Sequence, residues 1–311
     1  MKTNISLILI LCLLLGACKN GNASSQNKSE TSQDTIKAIK MPAIPQMMTA
    51  PEQRADFLAK HYWDNVNFAD TNYIHHPEVT EQAWADYCDL LNHVPLETAQ
   101  QAMRNVIDRT NVDKKVFTYI TDLADKYLYD PNSPMRNEEF YIPVLEAMIA
   151  SPVLNETEKI RPQARLKLAQ KNRIGTKALN FTYTLASGAQ GSLYQLKAEY
   201  LLVFINNPGC QACTETIEGL KNAPIINQLL QEKKLVLLSI YPDEELDEWK
   251  KHLSEFPNEW INGYDKKFTI KEEQVYDLKA IPTLYLLDKD KTVLLKDATA
   301  PAIEAYLMQH Q

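Results

Sequence analysis

The chain has 311 residues, of which 45% are hydrophobic and 23% are charged, so it is long enough for two ordinary folded domains. Its formal net charge is −7, and no basic cluster lies outside the immediate N-terminus, which argues against nucleic acid as a partner. The five cysteines do not form a framework of paired cysteines, so we expect packing rather than disulfides to stabilise the fold.

The first 17 residues are typical of an export signal. Lys2 supplies a positive charge, and the apolar run 5–15 is too short to span a bilayer. The run ends in the letters LGAC at 15–18, which resemble the lipobox of bacterial lipoproteins. The resemblance implies cleavage before Cys18, lipidation of its thiol and a periplasm-facing location in the cell envelope, with the outer membrane as the expected anchor. An ordinary secretory signal with a chance cysteine is the alternative.

Residues 18–45 are predicted to form a flexible tether. The stretch 19–40 consists mainly of Ser, Asn, Gln, Lys and Thr, and a segment with so few apolar residues cannot bury a core. Such a tether would hold the folded part of the chain near a membrane surface.

Residues 46–172 have helical periodicity throughout. Apolar side chains recur at intervals of three and four residues in segments 79–91, 96–106 and 112–127. Pro95 is the predicted first residue of the second of these helices, and asparagines are the predicted N-caps of two more helices. These asparagines are Asn137 and Asn155. The pattern predicts an all-α domain of five or six helices.

Three features of this helical half resemble sites but favour structural roles. Cys88 lies on an apolar helix stripe, so packing is favoured over a redox role. His75-His76 lacks a nearby carboxylate and cysteine arrangement of metal-site type, which favours a solvated pair. The aromatic residues at helical spacing are expected in the core. We predict no metal, no cofactor and no catalytic group in this half.

From residue 173 onward, short apolar runs alternate with helical segments. The predicted strands are 181–185, 192–196, 200–205, 235–241, 283–287 and 292–295. The predicted helices begin after Cys210 and also cover 224–230, 246–253 and 302–308. Strands that alternate with helices and end in a hairpin predict an α/β sandwich around a mixed sheet over residues 173–311.

The strongest chemical signal is the pair Cys210 and Cys213, which follows the buried run 200–205 and opens a helix. Unpaired N–H groups and a partial positive charge at a helix N-terminus stabilise a thiolate at Cys210. Cys213 lies one turn away, so the two sulfurs can form a disulfide and act as a reversible two-electron switch. A static disulfide is one alternative. Half of a zinc site is another, although no second ligand pair has suitable spacing.

These residues, together with Ile281-Pro282-Thr283 before the penultimate predicted strand, resemble the thioredoxin fold in its exported TlpA/ResA-like branch. The resemblance covers residues 175–311, and the segment 242–276 resembles the insertion of the TlpA and peroxiredoxin branches. The helical half, with the pattern at 41–63, resembles a domain of unknown function found ahead of thioredoxin-like modules in exported lipoproteins.

The resemblance implies roles for six residues of the second half. Cys210 and Cys213 are the catalytic pair, and Pro282 is a cis proline that lies against them. The backbone of Ile281 pairs with bound substrate as an added strand. The remaining two predicted substrate contacts are the neighbours of the first cysteine, Gly209 and Gln211.

The sequence also departs from the thioredoxin pattern at two positions. Gly209 stands where thioredoxins usually have Trp, and Phe204 stands where they bury an acid or amide that helps to move the proton of the second thiol. Resolution by the second cysteine is therefore expected to be slow, or to use water or another side chain. Because Gln211-Ala212 lacks the histidine of strong oxidants, a reductase or mild exchanger is favoured.

The functional prediction is a membrane-anchored thiol-disulfide oxidoreductase that acts on protein disulfides or thiols and needs a redox donor in the membrane or periplasm. A peroxidase is a weaker alternative, because the threonine typical of a peroxidatic site is missing before Cys210. The non-enzymatic alternative is a lipoprotein scaffold or binding protein whose thioredoxin-like domain is structural.

Overall fold

The structure, a computed structural model, describes residues 38–310. The predictions for the export signal, Cys18 and most of the tether lie outside the described residues. None of the helices that the structure describes combines the length and the hydropathy that a membrane crossing requires.

The first half of the described chain is helical, as predicted. Its α-helices are α1 (Pro51–His61), α2 (Pro77–Leu91), α3 (Leu96–Arg109), α4 (Lys114–Ala124), α5 (Glu138–Ala150) and α6 (Glu156–Ala169). Short 3₁₀ turns at Thr71–His75 and Thr110–Val112 and a π-helical segment at Asp125–Tyr129 connect them.

Side-chain caps fix several of these helix starts. Asn137 accepts a hydrogen bond from the Phe140 N–H at 3.2 Å, and Asn155 forms a reciprocal capping box with Glu158, as the two asparagines predict. Pro95 is an N-cap with extended ψ, so α3 begins one residue later than predicted.

The core of the helical half is rich in aromatic and aliphatic side chains. Its largest fully buried members include Trp84, Tyr87, Met103, Ile107, Phe117, Ile120 and Tyr141. Cys88 is buried among them and is a free thiol. Burial raises the pKa of the Cys88 thiol to about 12, which suits a packing role.

The second half forms one seven-stranded sheet with helices on it. The strands are β1 (Thr182–Leu185), β2 (Gln190–Ser192), β3 (Tyr200–Ile205), β4 (Leu235–Tyr241), β5 (Ile261–Tyr264), β6 (Thr283–Asp288) and β7 (Val293–Lys296). The helices are α7 (Gln211–Lys221), α8 (Pro224–Gln231), α9 (Leu246–His252), α10 (Thr269–Glu272) and α11 (Ala300–Gln309).

The sheet is mixed, as predicted, with the order β2-β1-β5-β4-β3-β6-β7. The β3–β4 and β4–β5 pairs are parallel, and the other pairs are antiparallel. Strands β3 and β4 are almost wholly buried, and the β3 side chains alternate between two apolar clusters. One cluster lies under α7, α8 and α11; the other includes residues of β1 and α10. The sandwich therefore places β3 inside the sheet, between β4 and β6.

Two predictions for the sheet need correction. The predicted strand 192–196 is wrong: β2 ends at Ser192, and a 3₁₀ turn follows at Leu193–Gln195. Ser192 and Gln195 exchange capping bonds that start this turn, and these bonds compete with strand pairing. Strand β5 within the insertion 242–276 was not predicted, because Asn262 and Gly263 are poor strand formers.

Candidate active site

The loop between β3 and α7 places both thiols at one end of the sheet. Cys210 has an extended backbone and is the N-cap residue of α7, while Cys213 lies in its first turn. Gly209 has φ +69°, a left-handed conformation that side chains with a Cβ rarely adopt. The backbone therefore favours glycine here, at the position where thioredoxins usually have Trp.

The two thiols have different environments. Cys210 is partly exposed, and its Sγ accepts a hydrogen bond from the Cys213 backbone N–H at 3.3 Å. Cys213 is only 3% exposed, and both residues are free thiols in the structure. Cys210 is therefore the sulfur that an incoming group can reach first.

Burial raises the pKa of the Cys213 thiol to about 12. The neighbouring Cys210 sulfur adds to the increase, and a hydrogen bond from the Asn207 backbone partly offsets it. At neutral pH the Cys213 sulfur therefore retains its proton until another group accepts it. The pair therefore combines a buried thiol of raised pKa, at Cys213, with a partly exposed thiol at Cys210.

The loop before β6 lies directly against Cys210. The Ile281–Pro282 peptide bond is cis, as the resemblance implies, and the Ile281 carbonyl oxygen is 3.8 Å from the Cys210 Sγ. The structure therefore brings together the Cys210 sulfur and the backbone that the resemblance expects to meet substrate. Gln211 directs its amide to the Glu215 carboxylate at 3.0 Å along the exposed face of α7.

The position of the expected acid is filled by an apolar side chain. Phe204 is fully buried and packs edge-to-face on Trp260 with ring centroids 6.4 Å apart. Asn206 directly follows β3, and its amide donates to the Ser239 hydroxyl at 2.8 Å and to the Phe204 carbonyl at 3.2 Å. Sequence reasoning missed Asn206 and the backbone contact of Asn207, although two asparagines directly after a buried strand are an available signal.

A second group of residues missed by sequence reasoning surrounds the loop before β6. We call it the ion cluster, and it comprises Arg136, Glu138, Asp277, Lys279, Lys296 and Asp297. The first two residues belong to the helical half, and the other four belong to the sheet half. Charged residues usually lie in solvent, so their sequence pattern carried no signal of burial.

The histidine pair does not join the site. His75 ends a 3₁₀ turn of the helical half, and the His76 Nδ1 lies 3.1 Å from the Glu78 carboxylate. Across residues 38–310, no three His, Cys, Asp or Glu side chains are grouped as metal ligands would be.

Two family models match the sequence, each in a different half. A domain of unknown function (DUF5106) matches residues 17–172, and a thioredoxin-like family matches residues 198–293. No curated protein matches the sequence at a significant level.

Several solved structures are similar to this chain. A thioredoxin-like protein from Bacteroides caccae is 83% identical, with a TM-score of 0.87 and coverage of 89% of this chain and 100% of that chain. The C-terminal domain of an uncharacterized protein from Bacteroides fragilis is 69% identical, covers 44% of this chain and 98% of that chain, and has a TM-score of 0.44. A conserved protein of unknown function from the same species is 36% identical, with corresponding coverages of 43% and 98% and a TM-score of 0.43.

The DUF5106 match spans the helical half, the thioredoxin-like match spans most of the sheet, and the Bacteroides caccae protein is similar across both. This chain therefore belongs to the thioredoxin-like proteins in which a DUF5106 domain precedes the thioredoxin-like domain.

Proposed function

We propose that this protein is a thiol-disulfide oxidoreductase, acting as a reductase or mild exchanger on protein disulfides. One observation carries the proposal: the partly exposed Cys210 sulfur opens α7 and lies 3.8 Å from the Ile281 carbonyl, beside a cis proline. A substrate strand that pairs with this backbone would bring its disulfide to the reactive sulfur. The reaction needs no cofactor, because the two cysteines carry both electrons.

The first step is attack of the Cys210 thiolate on one sulfur of the substrate disulfide. The substrate S–S bond breaks, a mixed disulfide forms with Cys210, and the other substrate sulfur leaves as a thiolate. The Cys213 thiol then loses its proton and attacks the Cys210 sulfur, which releases the second substrate thiol. The substrate gains two electrons and two protons, and the Cys210–Cys213 dithiol that supplied them is oxidised to a disulfide.

The second step is expected to be slow compared with the first. The Cys213 thiol is buried and has a raised pKa, and the strand position that would hold a carboxylate is occupied by Phe204. Its proton must pass to water or to the departing substrate thiolate. A separate electron donor, such as a reduced thiol protein of the membrane or periplasm, must then reduce the Cys210–Cys213 disulfide.

Trapping of the mixed disulfide tests this order of attack. We expect Cys213→Ala to accumulate a covalent adduct through Cys210 when it is incubated with disulfide-bonded insulin or oxidised glutathione, because no second thiol resolves the adduct. Cys210→Ala should form no adduct under the same conditions. Equal adduct formation by both variants, or none by either, would exclude the proposed order.

A structural role for the sheet domain is the second candidate. The buried Phe204 favours it, because a scaffold has no need of a proton acceptor beside the second thiol. In that case the cysteine pair should stay oxidised and unreactive in mild reductant, whereas an exchange enzyme should cycle.

The location and partners belong to the same proposal. Lipidation at Cys18 and the tether that follows it would hold the active site in the periplasm, at the surface of the outer membrane. The acidic net charge of −7 suits protein substrates rather than nucleic acid.

A further inference from the structure

The proline loop, residues 277–282, is held through its only lysine. Lys279 Nζ contacts the Asp277 carboxylate at 2.8 Å within the loop and the Asp297 carboxylate at 3.2 Å just beyond β7. It also contacts the Glu138 carboxylate at 3.4 Å, at the start of α5. The lysine side chain is 11% exposed, so these contacts are shielded from water. One buried cation therefore links the loop to the helical domain.

The other end of the loop is tied to the same aspartate. Thr283, which directly follows Pro282, donates its hydroxyl to the Asp297 carboxylate at 2.6 Å. Asp297 thus contacts Lys279 on one side of the cis bond and Thr283 on the other. Any displacement of Asp297 would be transmitted to both ends of the Ile281–Pro282 segment.

The helical domain contributes three side chains to this arrangement. Arg136 donates to the Asp297 carbonyl at 2.6 Å, and Glu138 bridges Lys279 and Lys296. The ring of Tyr129, which ends the π-helical segment, lies 5.2 Å from the Lys279 ammonium as a cation–π contact.

The ion cluster also joins the two domains through Lys296. Lys296 donates to the backbone carbonyls of Ala169 and Lys171 at 3.3 and 2.7 Å, where α6 ends. Its contact with Glu138 closes the link between α5, α6 and β7. Buried pairs with several hydrogen-bonded partners hold one geometry better than exposed pairs do.

We propose that the helical domain positions the substrate-binding backbone of Ile281, with Glu138 as its central positioning residue. The expected effect on substrate binding rests on the proposed thiol-disulfide exchange function, because a misplaced Ile281 would weaken pairing with a substrate strand. Glu138 does not touch the reacting sulfurs. It acts through Lys279 and Asp297, so its removal should affect substrate binding more than the reactivity of the Cys210 sulfur.

The chain offers a closely matched control in the next residue. Glu139 lies on the same first turn of α5, is 15% exposed compared with 13% for Glu138, and forms a buried ion pair with Arg173. Glu139 makes no ion pair with the proline loop in the described structure. Glu138→Gln and Glu139→Gln thus remove the same charge from neighbouring positions with different partners.

The experiment measures reduction of insulin disulfides by the full protein and the two variants. Glu138→Gln should raise KM for insulin about tenfold with a much smaller change in kcat, because displacement of a positioning group weakens substrate alignment. The rate at which iodoacetamide labels Cys210 should not change. Glu139→Gln should match the unmodified protein in both measurements. Equal effects of the two variants on KM, or no effect of Glu138→Gln, would overturn the inference.

Hydrogen exchange separates this inference from the proposed function. In the absence of substrate, Glu138→Gln should speed amide exchange in the peptide covering residues 277–283, and Glu139→Gln should not. If the unmodified protein fails to reduce insulin but this difference is present, the thiol-disulfide exchange function is wrong and the positioning role is supported. If Glu138→Gln leaves amide hydrogen exchange in residues 277–283 unchanged, the positioning role is wrong whatever the activity. If Glu138→Gln folds poorly, Arg136→Met replaces it, because this change removes the bond to the Asp297 carbonyl. Arg136→Met should then raise KM for insulin and speed amide exchange in residues 277–283.

Discussion

Cys210 and Cys213 lie one helical turn apart but differ in access and in surroundings. The Cys210 sulfur is at the surface and accepts a backbone N–H, whereas the Cys213 sulfur is buried behind it. A nucleophilic cysteine must be both ionised and accessible. At the scale of single residues, the structure therefore divides the pair into one accessible and one buried thiol.

This division predicts the order of alkylation in the reduced native protein. At pH 7 we expect iodoacetamide to label Cys210 first, and we expect Cys213 and Cys88 to stay unlabelled until the protein unfolds. The last two thiols are buried, and burial raises the pKa of each to about 12. Peptide mass spectrometry over a time course measures the order. Labelling of Cys213 as fast as Cys210 would contradict the assignment of roles.

Asp297 is the residue whose ionisation is most closely tied to the ion cluster. Burial opposes its charge, but Lys279, the Thr283 hydroxyl, Arg136 and Lys296 outweigh burial and lower the pKa of the carboxyl. Because the pKa is lower in the folded state than in the unfolded state, the carboxylate stabilises the fold above about pH 4. That contribution is lost as the pH falls through the folded-state pKa.

Asp297→Asn should therefore lower the free energy of unfolding by about 3 kcal/mol at pH 7, because it removes one of the carboxylates that offset the buried charge of Lys279. The difference from the unmodified protein should shrink as the pH falls below about 4. Urea unfolding at pH 7, 5, 4 and 3 measures both effects. A difference that stays constant or grows towards pH 3 would show that the Asp297 carboxylate is not a stabilising charge.

At the scale of elements, β3 and β4 were predictable because each is a short, continuous apolar run. A run of that length is typical of a strand that is buried on both faces. The asparagine-capped helices were predictable for a similar reason, since a cap acts within one turn. Strand β5 was not, because it is short and depends on its neighbours in the sheet for its structure.

The candidate site also contains some features that could be predicted from the sequence and others that could not. The Cys210 and Cys213 pair is a local motif, and the cis form of the Ile281–Pro282 bond was implied by the resemblance of this segment to the thioredoxin motif. The contact between Glu138 and Lys279 joins residues 141 positions apart, and neither position carries a local pattern. Long-range ion pairs of this kind follow from tertiary packing and cannot be read from spacing alone.

At the scale of the whole molecule, the two halves of the described chain are joined by more than their linker. Asn172, at the junction, donates to the Val275 carbonyl at 2.7 Å and accepts from the Leu179 N–H at 2.7 Å. Lys171 donates to the carbonyls of Glu273 and Gln274 at 3.0 and 2.7 Å. These bonds anchor the helical domain to the segment that leads into the proline loop.

The proposed function requires that Cys210 and Cys213 form a reversible redox pair. Titration of the purified protein against dithiothreitol and glutathione buffers, with thiol labelling as the readout, tests it most directly. We expect a single two-electron transition nearer to about −270 mV, as in thioredoxin, than to about −120 mV, as in DsbA, because the motif lacks a histidine that would stabilise the thiolate further. A pair that stays in one redox state across all of these buffers would exclude the exchange function and leave the sheet domain a structural role.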